Sequence, residues 1–491
     1  MPPELRRTNI NAGAMSWTRR QFLKSTIGVS ATSALAGCTV LGLEDEEEPL
    51  FDGPAIDEGE FTDFNARYYD VAIDESTQFP HSFVRNGVPS GETDPLSIAY
   101  RLQYLLDQVG RAPTIETILD HLLLAQVDDQ PPRNYRNMLP RLAFTAGAPG
   151  FEPATRDYSF VHNALLSSRV AMAAEAFRGT RIETLALTYL ERQKEGYNRV
   201  LAQTDSGFLP VFANAGLFGV DPEGMNLLFG GFWDAVAFVL SYFIGGTQHI
   251  SDPEVGPATW RAMIDAQNTY AGEHPASTTA SVILHSPLAR NGSAFQYFQP
   301  LLSLDADALS SSMAGALYNV LFSFLDAAVY DRVPGIYSAG PHAGGFLVDN
   351  GLNRLAARQR NHGSQESIVT IDALAAAMRL FAVDSDERLT LRGWIALYAS
   401  VQGSTGLRGY YSGMSKDGSP VTAMYARQNG AMILFNSTAS SYLDGFLAAN
   451  DRPTLRSLVS DVELTYNGSP IQRVQSPLPL PIRHERLFTF R

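Results

Sequence analysis

The sequence predicts an all-α protein, an (α/α)6 toroid built from about a dozen helices. Apolar residues recur at helical spacing almost without interruption from about residue 64, and strand-like alternation is scarce. The connections are uneven: some are short, whereas others are long, aromatic and rich in Gly and Pro. Long loops in a compact helical domain usually carry function, so helical hairpins with such loops gathered on one face around a cleft indicate a closed toroid. An open helical solenoid is the alternative, but no fixed-period repeat supports it.

Eight segments have apolar residues at i, i+3, i+4 and i+7 and are predicted to be helices. They are PLSIAYRLQYLLDQV (95–109), NALLSSRVAMAAEAF (163–177), IETLALTYLERQKEGYNRVL (182–201), FWDAVAFVLSYFI (232–244), ATWRAMIDAQNTYA (258–271), ALSSSMAGALYNVLFSFLDAAVY (308–330), SIVTIDALAAAMRLF (367–381) and RLTLRGWIALYASVQ (388–402). The elaborate connections at 206–226 and 333–350 are predicted to be functional loops.

The N-terminal stretch TRRQFLKSTIGVSATSALAGC (18–38) is predicted to direct export. Arg19 and Arg20 with the weakly apolar run after them resemble a twin-arginine signal, whose passengers are translocated by a dedicated export machinery. The residues before Cys38 resemble the lipobox of bacterial lipoproteins, in which cleavage before the cysteine leaves a thiol that receives lipid. The resemblance implies a signal peptide at 1–37 and a periplasmic or cell-surface protein that is attached to a membrane through lipid on Cys38.

The remaining chain is divided by charge and periodicity into three parts. Residues 38–63 contain the run EDEEE and lack Lys and Arg, which predicts a disordered acidic tether. Residues 64–465 are predicted to form the toroid, and residues 466–491 an extended C-terminal tail that packs on it.

Composition excludes several classes of function. The net charge is −14, and no Lys/Arg cluster follows the signal, which argues against nucleic acid as a partner. The chain has one cysteine, so lipidation of Cys38 leaves no thiol for a disulfide, a thiolate metal site or a nucleophile. The histidines are scattered, and no nucleotide-binding glycine loop has the strand context that it needs. We therefore predict neither a metal site nor a cofactor.

Several segments in sequence order resemble the bacterial glucoamylase-like family, a group of α/α toroids that includes β-1,2-glucanases and the last domain of cyclic glucan synthases. The segments are Asp157-Tyr158-Ser159 running into helix 163–177, FWDAVAFVLSYFIGG followed by Trp260, NGSAFQYFQPLLSLD (291–305), GIYSAGPHAGG (335–345), and GYYSGMSKDGSP leading into QNGAMILFNSTASSYLDGF (428–446). The resemblance implies a glycoside hydrolase that acts on a neutral β-glucan or a related periplasmic or extracellular oligo- or polysaccharide.

Glycoside hydrolysis needs a protonated carboxyl group and a second carboxylate. The resemblance places an essential acid at Asp234, beside an apolar helix whose surroundings would raise a carboxyl pKa. The alternative role of Asp234 is that of an N-terminal helix cap. At His162 the family pattern has an Asp, so one expected carboxylate is missing. Four residues are candidates for the second acid, and the sequence does not choose among them. The resemblance implies a catalytic role for Asp157, and the other three are the loop acids Asp205, Asp221 and Glu223.

Two further functions stay open. His162 beside Asn163, with Tyr158 upstream, suits a polysaccharide lyase, which removes a proton next to a uronate carboxyl group. A non-catalytic glycan-binding or scaffold lipoprotein is the other. Aromatic side chains and one histidine are candidates for sugar binding, with core packing as the alternative for the aromatic rings. They are Trp233, Tyr297, Tyr337, His342, Tyr410 and Tyr411.

Overall fold

Helices account for more than half of the residues described by the computed structural model. It describes residues 55–126, 137–145, 151–154, 157–201, 212–214, 219–220, 233–243, 259–262, 264–265, 268, 271–275, 281–285, 293–304, 306–338, 340–342, 345–347, 368–402, 409–415, 418–419, 421–484 and 487. The α-helices are α1 (Glu58–Ala66), α2 (Pro95–Leu106), α3 (Ala112–Ala125), α4 (Phe160–Ala176), α5 (Arg181–Leu201), α6 (Trp233–Phe238), α7 (Ala294–Phe298), α8 (Ser311–Asp331), α9 (Asp372–Ala377), α10 (Asp386–Gln402), α11 (Ala426–Leu434), α12 (Ser440–Ala449) and α13 (Leu455–Ser460).

Alternate helices form a closed inner ring. Helix α2 packs against α4, α4 against α6, and α6 against the 3-10 turn Gln299–Ser303 that follows α7. This turn and α7 pack on α9, α9 packs on α11, and α11 returns to α2. Outside the ring, α1 lies on α11, α3 on α2, α5 on α4, α8 on α7 and α10 on α9. The predicted all-α toroid is therefore confirmed.

The inner helices are apolar on several sides because they touch neighbours all round. Helix α4 is buried along nearly its whole length, including Ala164, Ala171 and Ala173, whose small side chains allow neighbouring helices to approach closely. Helix α8 is long and apolar enough to cross a membrane, yet 89% of its most apolar window is buried inside the protein. Its apolar character is therefore explained by packing in the core.

The described residues also form short antiparallel strands. They are β1 (Phe83–Arg85), β2 (Val88–Pro89), β3 (Glu92–Thr93), β4 (Leu142–Phe144), β5 (Phe151–Pro153), β6 (Asp157–Ser159), β7 (Phe212–Asn214), β8 (Gly219–Val220), β9 (Ala271–Pro275), β10 (Ser281–His285), β11 (Ile336–Tyr337), β12 (Gly340–His342), β13 (Gly345–Leu347), β14 (Ile368–Thr370), β15 (Met414–Ser415), β16 (Ala423–Tyr425), β17 (Thr465–Tyr466) and β18 (Ser469–Pro470). They pair in the orders β16-β1-β2, β3-β4-β5, β6-β7-β8, β11-β14-β15, β10-β9, β12-β13 and β17-β18. Strands β3, β6, β14 and β16 run almost directly into α2, α4, α9 and α11, so these sheets frame the N-terminal ends of the inner helices.

The folded domain begins earlier than the sequence predicts. Residues 38–63 were assigned to a disordered tether, but α1 starts at Glu58, with Asp57 as its cap. The Arg388 guanidinium of α10 donates to both carboxylate oxygens of Glu58, at 2.8 and 2.6 Å, and Asn436 also donates to Glu58. The predicted tether boundary is therefore wrong for residues 58–63, because this buried ion pair fixes an acidic segment that would otherwise stay solvated.

The C-terminal segment after β18 crosses the outer helices without regular secondary structure. Asn319 of α8 bonds the backbone of this segment twice, and Tyr318 donates to the Ser476 carbonyl at 2.9 Å. On α10, the Trp394 indole donates to the Pro479 carbonyl at 2.9 Å. These bonds join two outer helices through the last part of the chain.

Replacing Arg388 should test how strongly the N-terminal helix is held. Arg388→Met leaves the Glu58 carboxylate, which is 14% exposed, with only the longer 4.0 Å contact to Arg392, so we expect the free energy of unfolding to fall by about 2 kcal/mol. Arg456→Met is the matched control because its pair with Asp307 is exposed and should contribute less than about 1 kcal/mol. Urea denaturation of both variants measures the difference, and equal losses would contradict this assignment.

Candidate functional site

Ionisable side chains gather at the N-terminal ends of five inner helices. They are Asp94, which caps α2; His162 in the first turn of α4; Asp234 in the first turn of α6; Asp372 at the start of α9; and Arg427 in the first turn of α11. Asp94 interacts electrostatically with His162 and Arg427, and Arg427 also interacts with Asp372. Tyr100 of α2 interacts with both Asp234 and Asp372. The five helix ends therefore lie together, and we call these five residues the inner-end charge cluster.

Asp234 is held in a buried ion pair. Its Oδ2 atom lies 3.5 Å from Nη1 of Arg169, and both side chains are 1% exposed. The Ser303 hydroxyl donates a hydrogen bond to the same oxygen. The other oxygen, Oδ1, has no hydrogen-bond partner within the part of the chain that the structure describes. One oxygen of Asp234 is thus held by two partners, and the other has none among the described residues.

A buried polar network fixes Arg169 in turn. Its Nε donates to Gln103 Oε1 at 3.0 Å, and its Nη1 donates to the Ser168 hydroxyl at 2.8 Å. The Gln103 amide donates to the Leu302 carbonyl at 2.7 Å and to the Ser437 hydroxyl at 3.1 Å. Because the guanidinium cannot lose its proton, this network keeps a positive charge beside Asp234.

Burial and the arginine have opposite effects on Asp234. Burial raises the pKa of its carboxyl group, whereas Arg169 and Ser303 lower it, and the net shift is upward. Asp234 is therefore more easily protonated than an exposed aspartate, although Arg169 favours its ionised form.

Asp372 is a buried carboxyl group at the start of α9. It is 1% exposed, and neither oxygen has hydrogen-bonding geometry to a donor within the described ranges. Burial raises its pKa to about 7, although Thr370 and the N–H groups of Asp372 and Ala373 lie near enough to lower it. Asp372 is therefore partly protonated at neutral pH, as a proton donor must be.

Asp94 and His162 form the other side of the cluster. Burial raises the pKa of Asp94, but His162, Arg427 and hydrogen bonds from Ser82 and Ser97 lower it further, so Asp94 is ionised. Its oxygens accept from Ser82 Oγ at 2.7 Å and from the Ser97 N–H and hydroxyl at 3.0 and 2.8 Å. Burial lowers the pKa of the partly exposed His162 to about 4, against the effect of Asp94, so its ring is neutral.

The structure brings two of the three predicted catalytic residues, Asp234 and His162, into one cluster. Asp157 lies in β6 directly before α4, but its side chain is outside the described residues. Asp234 is the second residue of α6, so it is not the N-terminal cap that the sequence offers as its alternative role. Its side chain forms an ion pair with Arg169 instead. The remaining acid candidates, Asp205, Asp221 and Glu223, also lie outside the described residues.

Three predicted sugar-binding aromatics are core residues instead. Trp233, Tyr297 and Tyr337 are 0%, 1% and 2% exposed, so no ring face is free to stack on a sugar. The Tyr337 hydroxyl donates to Asp331 at 2.7 Å, which further explains its inward orientation. The stacking role predicted for these three residues is therefore wrong, since large apolar rings contribute more when they are buried in the core.

The other predicted binding residues have different surroundings. Tyr410 is half-buried and packs against Phe61 and Phe64 of α1, at ring distances of 5.8 and 4.8 Å. Tyr411 is partly exposed and packs against a small second core that includes Tyr68 and Val84. The backbone of His342 lies in β12, and its side chain is outside the described residues, as is the whole of Cys38.

Sequence reasoning missed Asp94, Asp372 and Arg427. The stretch TDPLS (93–97) carries a recognisable signal, because Asp followed by Pro is typical of a helix start. The order IVTID (368–372) also predicts a strand that runs into a helix, but nothing in it distinguishes a functional acid from a capping one. Arg427 carries no local signal, since its position beside Asp94 and Asp372 results from the closure of the ring.

The fold is shared with known glycan-active proteins. No protein-family model and no curated protein matches the sequence. An endo-β-1,2-glucanase from Talaromyces funiculosus, solved with sophorose, matches over 88% of this chain and 95% of that one, with a TM-score of 0.62 and 10% identity. The endo-β-1,2-glucanase from Chitinophaga pinensis matches over 80% and 94%, with a TM-score of 0.56 and 11% identity. The chain has the fold of these proteins. The family resemblance predicted from the sequence is therefore confirmed for the fold. At 10–11% identity, the role of a residue in these proteins cannot be assigned to a residue of this chain.

A protein from Bacteroides caccae described as a glucoamylase candidate has the same fold. It matches over 84% of this chain and 100% of its own length, with a TM-score of 0.57 and 12% identity. The three matches together span fungal and bacterial proteins. The fold is therefore that of a toroid used by glycan-active enzymes, and the chemistry of this chain has to be argued from its own residues.

Asp372 should make stability depend on pH in a defined direction. The folded protein keeps a proton on Asp372 up to about pH 7, whereas an unfolded aspartate loses it near pH 4, so stability falls as pH rises through this interval. Asp372→Asn removes the effect, and its free energy of unfolding relative to wild type should be higher at pH 8 than at pH 4.5, by up to about 4 kcal/mol.

Asp94→Asn provides a control of opposite sign. The pKa of Asp94 is lowered, so its contribution is present at neutral pH and is lost as pH falls. Chemical denaturation should therefore find that Asp94→Asn loses nearly the same free energy of unfolding at pH 8 and at pH 4.5, and loses less only below about pH 4, where an unfolded aspartate binds a proton. A pH-independent effect of Asp372→Asn would mean that this carboxyl group is ionised throughout.

Proposed function

We propose that the chain is a glycoside hydrolase that acts on a neutral β-glucan at the inner-end charge cluster. The observation that carries the proposal is Asp372, a buried carboxyl group with a pKa of about 7 among the N-terminal ends of the inner helices. Glycoside hydrolysis needs such a group to protonate the leaving oxygen. The shared fold with two endo-β-1,2-glucanases gives the proposal its substrate class.

The two buried carboxyl groups suit the two roles of the reaction. Asp372 has no cation within ion-pair distance among the described residues, and it is the proton donor in this proposal. Asp234 has Arg169 at 3.5 Å, which favours its ionised form, and its free Oδ1 would activate water or act as the nucleophile. This assignment gives Asp234 the carboxylate role instead of the acid role that the sequence predicts.

The unpaired polar atoms of the site favour a neutral substrate. Asp234 Oδ1, both oxygens of Asp372 and Gln299 Oε1 are buried acceptors without a donor in the described part of the chain. A buried acceptor left unpaired costs about 1–3 kcal/mol, and the hydroxyl groups of a sugar or a water molecule would satisfy it. A uronate carboxylate would bring more acceptors to the same place, so the set suits an uncharged glycan better.

A polysaccharide lyase is the second candidate, supported by His162. Its ring is neutral at physiological pH because its pKa is about 4, and it is partly exposed beside Arg427. A neutral histidine can accept a proton, and an arginine can neutralise a uronate carboxylate. The pKa near 4 makes this histidine a weak base, however, which favours the hydrolase.

The hydrolase proposal is tested with a panel of glycans. Wild-type protein is incubated with linear β-1,2-, β-1,3- and β-1,4-glucans and with polyuronates, and the products are weighed by mass spectrometry. We expect products from a neutral glucan that are heavier by one water. Asp372→Asn should lower kcat/KM by at least about a hundredfold, because it removes the proton donor. The alkaline limb of the pH profile, near pH 7 in wild type, should disappear with it.

Two variants separate the alternatives. Asp234→Asn should lose turnover as well, but it should also lose stability, since it leaves Arg169 buried without its counter-charge. His162→Ala should retain hydrolysis. Unsaturated products that vanish in His162→Ala would replace the hydrolase with a lyase, and full activity of Asp372→Asn would remove Asp372 from the mechanism.

We also propose that the chain is exported and attached to a membrane through lipid on Cys38. The support is the order of residues 18–38, with paired arginines, a weakly apolar run and a terminal L-A-G-C. Nineteen residues, 39–57, separate Cys38 from the start of α1 at Glu58, and a segment of this length, rich in acidic residues, would act as a spacer between the membrane and the domain.

Lipid attachment predicts a specific effect of one substitution. In a bacterial host with twin-arginine export, wild-type protein should sediment with membranes and incorporate labelled palmitate. Cys38→Ala should stay soluble and unlabelled, whereas Arg19→Lys with Arg20→Lys should remain in the cytoplasm, because the paired arginines are the export determinant. Membrane attachment of Cys38→Ala would contradict the proposal.

A further inference from the structure

Tyr100 of α2 occupies the centre of the charge cluster. Its electrostatic neighbours are Arg169 and Asp234 on one side and Arg427 and Asp372 on the other. Burial, together with the two carboxyl groups, keeps its pKa well above the usual value for tyrosine, so its hydroxyl group stays protonated. The residue therefore presents a neutral O–H group between the two acids of the proposed reaction.

The ring of Tyr100 is fixed by a glycine on the facing helix. A Cβ atom built on Gly430 of α11 would lie 2.7 Å from Cδ2 of Tyr100 and 2.9 Å from its Cβ and Cγ atoms. The backbone of α11 therefore packs directly against the ring, and any larger residue at position 430 would displace it. This contact determines the direction in which the hydroxyl group points.

The hydroxyl group of Tyr100 has no hydrogen-bond partner within the described residues, although the side chain is only 1% exposed. One turn further along α2, Gln103 makes three hydrogen bonds through its amide. Two other buried tyrosines are paired: Tyr68 donates to the His81 carbonyl, and Tyr189 accepts from Gln193. The hydroxyl of Tyr69, whose ring lies under Arg101, also has no partner in the described ranges, but Tyr69 belongs to the small second core and not to the charge cluster. A rigid, buried and unpaired hydroxyl among charged groups calls for a partner outside the protein.

We propose that the Tyr100 hydroxyl group is a substrate contact that hydrogen-bonds a hydroxyl of the sugar held between Asp234 and Asp372. The inference rests on the proposed hydrolase function and deepens it, because it names a residue that orients the sugar relative to both acids. Gly430 acts through Tyr100 as a positioning residue, since it fixes the ring without reaching the substrate.

Tyr100→Phe removes this contact and nothing else. We expect kcat/KM on the glucan identified in the panel to fall about tenfold, as for the loss of one hydrogen bond. The melting temperature should stay the same or rise, because the variant buries no unpaired hydroxyl. Tyr189→Phe is the matched control: it removes a paired, fully buried hydroxyl, so it should lower the melting temperature and leave kcat/KM unchanged.

A binding measurement separates this inference from the proposed function. In the Asp372→Asn background, which turns over slowly, calorimetric titration with the same glucan should give a Kd about tenfold weaker when Tyr100→Phe is added. If wild-type protein binds a glycan through Tyr100 but does not hydrolyse it, the substrate contact is supported and the proposed hydrolase function is wrong.

The opposite results overturn the inference. Suppose that wild-type protein hydrolyses a glucan and that Tyr100→Phe has the same kcat/KM but a lower melting temperature. The hydroxyl group then hydrogen-bonds a buried water molecule, and it does not contact the substrate. If no protein in the series binds or hydrolyses any glycan, the inference falls together with the function.

Discussion

Closure of the inner ring is the constraint on which the rest of the structure depends. Helix α11 must reach α2 across the largest separation in sequence between neighbouring inner helices, and it does so where Gly430 meets the Tyr100 ring with no room for a side chain. That contact brings Arg427 towards Asp94 and Asp372, because all three lie at the same end of their helices. The charge cluster is thus a product of helix packing, and no local segment of the chain could assemble it.

The site has a consistent electrostatic arrangement. Arg169 is a buried cation and Arg427 a partly exposed one, and each is close to a buried aspartate. The carboxyl groups differ in whether burial, which raises their pKa, outweighs these cations, which lower it. Asp94 is surrounded by donors and stays ionised, Asp234 is balanced between burial and Arg169, and burial dominates at Asp372. Groups with different proton affinities in one place are what acid–base chemistry requires. Such an arrangement costs stability, which is a common property of functional sites.

Much of the fold was predictable from the sequence, and much of the site was not. Seven of the eight predicted helical segments contain a described helix of matching position, because an apolar pattern is local; the eighth, 258–271, is described only in part. Helix α3 was missed, and no side chain caps its first turn.

The residues of the site were harder to predict than the helices. Asp234 was selected through a family resemblance, but its partner Arg169 lies in a segment whose apolar helical pattern gives no sign of a buried cation. Trp233 and Tyr297 were assigned to sugar binding although they are core residues. An aromatic residue near a loop has the same sequence pattern whether it binds sugar or packs in the core.

The ends of the domain are joined over long distances in sequence. Glu58 in the first helix binds Arg388, 330 residues later, and the Asn65 carbonyl accepts from Asn429, 364 residues later. Loop closure on this scale is slow and requires nearly the whole chain, so the ring cannot be completed while synthesis continues. A chain of this kind gains from finishing its fold in the compartment where it is made, with its chaperones. The export route that we propose from Arg19 and Arg20 carries folded domains, and a ring that closes last would suit such a route.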